Sequence, residues 1–193
     1  MLAPAARPFN RPGWIFELKY DGFRVLAGTN DKKPHLISRR GNDLLPCYPE
    51  IGACLLELRE MVMDGELVVL DAHGRSDFET LRRRLALRRP TSVEFAAKKT
   101  RAAIFAFDLL ELQGKDVRML PLLKRKQLLK AELHGSESVR YLDHVGESGH
   151  RLFQVAEELG LEGIGAKHGG GPYRRGRAGG WIKIKTKRGS SYR

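Results

Sequence analysis

Between residues 14 and 21 (WIFELKYD) apolar and polar side chains alternate. Phe16, Leu18 and Tyr20 fall on one face of an extended chain, and Glu17, Lys19 and Asp21 fall on the other. The period of two predicts a strand that buries one face and gathers three ionisable groups on its opposite side. Asp21-Gly22 signals a turn, and FRVLAG after it reads as a returning strand. PHLISRRG reads as another strand, ending in a basic turn, and YPEIGACLLELRE suits a helix with Pro49 in its first turn. MVMDGELVVLDAHG has the pattern of a buried strand interrupted by a carboxylate pair, Asp64 and Glu66. In SDFETLRRRLAL, Ser76 and Glu79 form the signature of a capping box, followed by Phe78, Leu81 and Leu85 at helical spacing. AAIFAFDLLELQG predicts a strand and turn. PLLKRKQLLKAELHG predicts a helix opened by Pro121 and stopped by Gly135, and SGHRLFQVAEELG a helix stopped by Gly160. EGIGAKHGGGPYRRGRAGG reads as a Gly-rich basic loop. The closing WIKIK alternates strictly, with Ile182 and Ile184 on one face and Trp181, Lys183 and Lys185 on the other. Strands and helices mix without a βαβ rhythm and without an internal repeat, which predicts an α+β fold of mostly antiparallel sheets.

Composition adds a partner class. A chain of 193 residues is expected to form one domain, or two small lobes, with a sizeable core. Its 35 Lys+Arg against 23 Asp+Glu leave a formal charge of +12, which draws a protein toward phosphate polyanions, nucleic acid first. The plainer reading is a soluble protein that happens to be basic. Cys47 and Cys54 are the only cysteines, with no metal-binding spacing, and suit a reducing cytoplasm better than a disulfide framework. No apolar run approaches the roughly 20 residues of a membrane span, and no signal peptide is recognisable. The six histidines show no metal-ligand spacing. The basic runs RRRLALRR, KRK and YRRGR read as solvated helix faces at some of Arg82, Arg83 and Arg84, and as nucleic-acid contacts elsewhere.

Lys-x-Asp-Gly is common enough to mean little by itself. Its company is more specific: KYDG, SRRG, DGE, FDLL, EGIGAK and WIKIK occur in that order. This set resembles the covalent nucleotidyltransferases, and in particular the ATP-dependent DNA ligases. The wording PGWIFELKYDGFR, SRRGND…YPEI and GPYRRGR…WIKIK resembles the bacterial ligase D type, over residues 9 to 185. The resemblance implies an ATP-grasp-like nucleotidyltransferase fold. It implies that Lys19 attacks the α-phosphate of ATP to form a lysyl-AMP, an attack that needs a neutral amine. Lys183 and Lys185 would supply cationic pressure on Lys19 and neutralise charge on the phosphate. Glu17 would accept from the adenine amino group, Phe107 would stack on the base, and Arg24 would hold ribose or a DNA phosphate. Asp21 would shape the turn and touch a metal-bound water, and Lys167 would join the nucleotide contacts. Glu66 and Glu162 would face a magnesium or manganese ion, Glu66 also the ribose. Arg39 would bind the 5′-phosphate of a nick, with Arg174, Arg175 and Arg177 as further DNA contacts; Arg40 reads as a solvated neighbour. The implied partners are ATP, nicked double-stranded DNA and other repair proteins, with a monomeric chain in the bacterial cytoplasm.

Two departures from the family pattern stand out. Gly165 occupies a position where the family commonly has a branched apolar residue, a loss of about 0.5–1 kcal/mol in a strand. The chain also ends eight residues after Lys185, before any OB-fold domain. The expected organisation is an arm over residues 1–13, an adenylation domain over 14–187 and a tail over 188–193. An RNA ligase or capping guanylyltransferase, and a non-catalytic nucleic-acid-binding remnant, are the alternatives that the motifs leave open.

Overall fold

The computed structural model describes residues 6–133, 136–174, 176 and 180–187. Gly135, expected to stop a helix, lies outside the described residues. The chain divides into two units, Met1–Tyr20, Arg118–Arg125 and Leu142–Arg193 in the first and Asp21–Val117 and Lys126–Tyr141 in the second.

The first unit is built on a four-stranded antiparallel sheet of β1 (Trp14–Lys19), β8 (Val145–Gly146), β9 (Gly163–His168) and β10 (Trp181–Lys185), in the order β10-β9-β1-β8. Alternation sorts its side chains as the sequence predicts. Trp14, Phe16, Ile164, Ala166 and Ile184 form the core face, covered by Ala156 of helix α5 (Gly149–Glu158) and by Leu161. Phe9 packs edge-on against Trp14 and Phe16, at ring-centroid distances of 5.4 and 5.3 Å. The segment EGIGAK is not loop: all but its first residue lie in β9. Gly163 explains how so Gly-rich a stretch forms a strand, because a Cβ there would come within 2.1 Å of the Ile184 carbonyl oxygen. The glycine is what lets β10 pack close against β9.

The second unit carries a six-stranded sheet. Strands β2 (Phe23–Asn30), β3 (Lys33–Ser38), β4 (Met61–Val69), β5 (Ala102–Leu112) and β6 (Lys115–Asp116) run antiparallel in the order β3-β2-β4-β5-β6, and β7 (Val139–Tyr141) adds to β5 in parallel. Helices α1 (Pro49–Leu56), α2 (Phe78–Leu85) and α3 (Pro90–Lys99) belong to this unit, and α4 (Leu122–Glu132) begins in the first unit and ends in the second. Val25, Ala27, Met63, Leu67, Ile104 and Leu109 form the sheet side of one core, with Ile51, Leu55 and Leu81 from the helices. Beneath α2, the buried Arg84 grips both carboxylate oxygens of Glu50 at 2.5 and 3.0 Å and donates to the carbonyls of Cys47 and Thr100. Its guanidinium lies 4.6 Å from the Tyr48 ring centroid. Burial pushes the Tyr48 hydroxyl well above its ordinary pKa, and it donates to the Leu81 carbonyl at 2.8 Å. Arg84 is therefore a core residue, unlike the solvated face read for part of its run.

Three further expectations change. The turn at Asp21-Gly22 does not make a hairpin: β1 pairs with β8 and β9, whereas β2 pairs with β3 and β4. Gly22 is required by close approach, since a Cβ would meet the Leu67 carbonyl oxygen at 2.3 Å. The cap of α2 is Asp77, which accepts from the Thr80 amide at 2.9 Å, while Ser76 Oγ accepts from the Asp21 amide at 3.1 Å and Glu79 pairs with Arg82. The stretch between α2 and β5, to which the sequence reading assigns no element, forms helix α3, opened by Pro90. No helix among the described residues is long and apolar enough to cross a membrane.

Candidate active site

In the first unit, register decides which ionisable groups meet. Glu17 lies opposite Gly165, which lies opposite Lys183. Lys19 lies opposite Gly163, which lies opposite Lys185, and Ile15 opposite Lys167, opposite Trp181. Paired residues share a face, so Glu17, Lys19, Lys167, Lys183 and Lys185 stand together on the side of the sheet away from its apolar core. The two positions of β9 between them are glycine. A Cβ on Gly165 would meet no atom within 4 Å, so this face is open at Gly165, between Glu17 and Lys183.

Glu162, immediately before β9, adds a second acid to this cluster. Lys19 Nζ is hydrogen-bonded to Glu162 Oε2, and Lys185 Nζ lies 3.7 Å from Oε1. One carboxylate thus spans two lysines, one on each oxygen. The Lys19 side chain is 31 % exposed and that of Glu162 14 %, so the amine is reachable from solvent while its partner is largely enclosed. Glu17 and Lys167 form a separate, buried pair at 2.6 Å, with the Lys167 ammonium 4.1 Å from the Trp181 ring centroid. The pair fixes the Glu17 carboxylate, and the indole holds Lys167 against the sheet.

In the second unit, β2, β4 and β5 bring together Arg24, Asp64, Glu66 and Phe107. Arg24 is opposite Glu66 in register and forks onto Asp64, Nε to Oδ1 at 3.0 Å and Nη2 to Oδ2 at 2.5 Å. Asp64 is fully buried and is the residue that sequence reasoning left without a role. Its position two before Glu66, on the same strand face, was the available signal. Pairing of β4 with β5 slips between Asp64 and Gly65: Asp64 faces Asp108 and Gly65 faces Ala106, which leaves Phe107 in the bulge. The Arg24 guanidinium lies 5.7 Å from the Phe107 ring centroid, and the ring is 8 % exposed. The bulge re-aims an aromatic side chain within an otherwise apolar strand.

Arg39 is exposed in the turn after β3, its amide donating to the Arg24 carbonyl at 3.1 Å. Arg174 is exposed as well. Arg175 and Arg177 lie outside the described residues. Glu66 belongs to the second unit and Glu162 to the first. Among the described residues no three His, Cys, Asp or Glu side chains gather closely enough to hold a metal ion by themselves.

Comparison with known proteins fits this arrangement. The family model described as ATP dependent DNA ligase domain matches residues 2–185. The multifunctional non-homologous end joining protein LigD of Pseudomonas aeruginosa is 34% identical over 179 residues, covering 91% of this chain and 20% of the relative. The bifunctional non-homologous end joining protein LigD of Bacillus subtilis is 31% identical over 195 residues, covering 90% of this chain and 31% of the relative. The chain therefore spans between a fifth and a third of the length of these two curated relatives. A solved structure of mycobacterial DNA ligase D complexed with ATP and MES superposes with a TM-score of 0.76 at 29% identity, covering 95% of this chain and 60% of that one. Chlorella virus DNA ligase-adenylate, at 19% identity and a TM-score of 0.58, shares the fold. The chain belongs to the ATP-dependent DNA ligase domain family.

Proposed function

We propose that this chain is the adenylation domain of a ligase D-type DNA ligase, with Lys19 as the nucleophile. The observation that carries the reading is the Lys19–Glu162–Lys185 arrangement on an open sheet face, beside Lys183. Lys19 Nζ bonds to the α-phosphorus of ATP, the bond from that phosphorus to the bridging oxygen of the β-phosphate breaks, pyrophosphate leaves, and the amine proton passes to solvent. An ammonium held by a carboxylate is not a nucleophile, so Lys19 must lose a proton and leave Glu162 before it attacks. Lys185 stays beside the same carboxylate and offsets its charge once Lys19 has gone. Lys183 and Lys185 then face the negative charge that grows on the phosphate. AMP passes next to the 5′-phosphate of a DNA nick, and attack by the 3′-hydroxyl forms the phosphodiester and releases AMP.

Glu17, held in place by Lys167, is assigned to the adenine amino group, Phe107 to the face of the base, and Arg24, braced by Asp64, to ribose or a DNA phosphate. Asp21 shapes the turn after Lys19. Arg39, Arg174, Arg175 and Arg177 are assigned to DNA phosphates. Glu66 of the second unit and Glu162 of the first are each assigned to a magnesium or manganese contact. Their hard oxygen donors fit such an ion, with phosphate and water completing its shell, and it would supply charge neutralisation on the phosphates.

Intact mass after incubation with ATP and magnesium tests the reading. One added AMP moiety is expected, mapped to Lys19 by peptide sequencing, absent in Lys19→Ala and absent when GTP replaces ATP. An adduct on Lys183 or Lys185, or no adduct with ATP, refutes it.

A further inference from the structure

Helices α2 and α3 enclose a groove of about 500 Å3 that nucleotide chemistry leaves unexplained. One wall is the stripe Thr80, Arg83 and Leu87 of α2 and the turn after it. The other is the stripe Ser92, Phe95 and Lys99 of α3, with Ala96 at its floor. Phe95 is 65 % exposed, an unusual position for a phenyl ring in the middle of a helix. Charge surrounds this apolar feature asymmetrically: residues 79–101 contain eight Lys and Arg against two Glu. Arg84 is committed to Glu50, Arg82 pairs with Glu79, and Arg88 donates to the carbonyls of Leu85 and Leu87. Arg83 and Lys99 are exposed on opposite walls of the groove.

We propose that this groove docks an acidic peptide segment of a partner protein, with one bulky apolar side chain seated against Phe95, Leu87 and Ala96 and carboxylates meeting Arg83 and Lys99. The combination selects that occupant. A phosphate backbone needs cations and gains nothing from a concave apolar floor, whereas a peptide anchored by an apolar residue needs such a floor and is oriented by charges at the rim. Arg84 of α2, held by Glu50, also donates to the carbonyl of Thr100 at the end of α3, which ties the two walls together before a peptide arrives.

A random dodecapeptide library displayed on phage, selected on the whole chain and counter-selected on Phe95→Asp, tests this. Selected peptides are expected to carry net negative charge and one large apolar residue, and their synthetic forms to shift the amide resonances of Leu87, Phe95 and Lys99. Their binding should weaken about ten-fold or more in Phe95→Asp and in Arg83→Glu. Both positions are exposed, and unchanged thermal melts of the two variants confirm that binding and not folding was altered. Recovery of no binder, of peptides without acidic bias, or of peptides indifferent to both substitutions overturns the proposal. So does a short DNA strand or duplex that shifts the same resonances and displaces the peptides, since the surface would then be a nucleic-acid contact.

Discussion

Glu162 accepts from Lys19 on one oxygen and lies near Lys185 on the other, so the two lysines are not equivalent to Lys183, which stands across Gly165 from Glu17. Lys183→Ala removes a cation from the lysine-bearing face of the sheet and leaves the Glu162 pair intact. Lys185→Ala removes a cation and also leaves Glu162 with Lys19 alone, which tightens its hold on Lys19. Each substitution is expected to slow formation of the AMP adduct by on the order of 10²-fold, with Lys185→Ala the slower. Ile184, fully buried, and Ile182 keep the core side of β10, so thermal melts should be unchanged. Single-turnover adduct formation, read by mass, gives the rates; wild-type rates in both variants would remove these lysines from the chemistry. The lysine triad was legible in the sequence because period-two alternation names a face. The Lys19–Glu162 contact was not, because it joins positions 143 apart and depends on the pairing of β1 with β9.

At the level of elements, most strands were readable but their partnerships were not, and the glycines of β9 made that strand read as loop. Asp21-Gly22 marks where the chain bends, but Gly22 is needed for its approach to β4, and β2 finds its pairs in a different sheet from β1. Capping shows the same limit one residue wide: Ser76 and Asp77 are both good caps by chemistry, and only backbone geometry gives the role to Asp77. The Thr80 hydroxyl and then the Thr80 amide donate to Asp77 and hold its carboxyl below the ordinary range. A carboxyl lowered by folding stabilises the protein above its unfolded value and loses that contribution as pH falls through its folded value. Asp77→Ala should therefore cost about 1 kcal/mol at neutral pH, and urea melts of the two proteins should converge as the pH is taken below the ordinary aspartate range. A gap that persists in acid would mean that the cap does not act through its charge. Arg84 makes a larger claim. Removing it strands Glu50 in the core and leaves the Cys47 and Thr100 carbonyls without their donor, so Arg84→Ala is expected to cost about 3–5 kcal/mol. Urea melts check it, and a loss below about 1 kcal/mol would show that the network is dispensable.

For the whole molecule, the +12 formal charge predicts affinity for DNA but not the residues that deliver it. A charge already committed inside the protein, such as Arg84 with Glu50, cannot release counterions from a phosphate backbone. Exposed Arg39, fixed by its backbone hydrogen bond at the end of β3, can. Binding of a nicked duplex should weaken linearly in a plot of log affinity against log salt, with a slope near −0.9 for each phosphate neutralised. Arg39→Ala is expected to lower the affinity and to flatten that slope by about one unit, whatever the DNA sequence. Arg82→Ala, which removes an exposed arginine already paired with Glu79, is expected to leave the slope unchanged. Fluorescence anisotropy across a salt series measures both. If Arg39→Ala leaves the slope intact while Arg82→Ala flattens it, the DNA lies over α2 and not at the turn after β3, and the assignment of Arg39 to the 5′-phosphate fails with it.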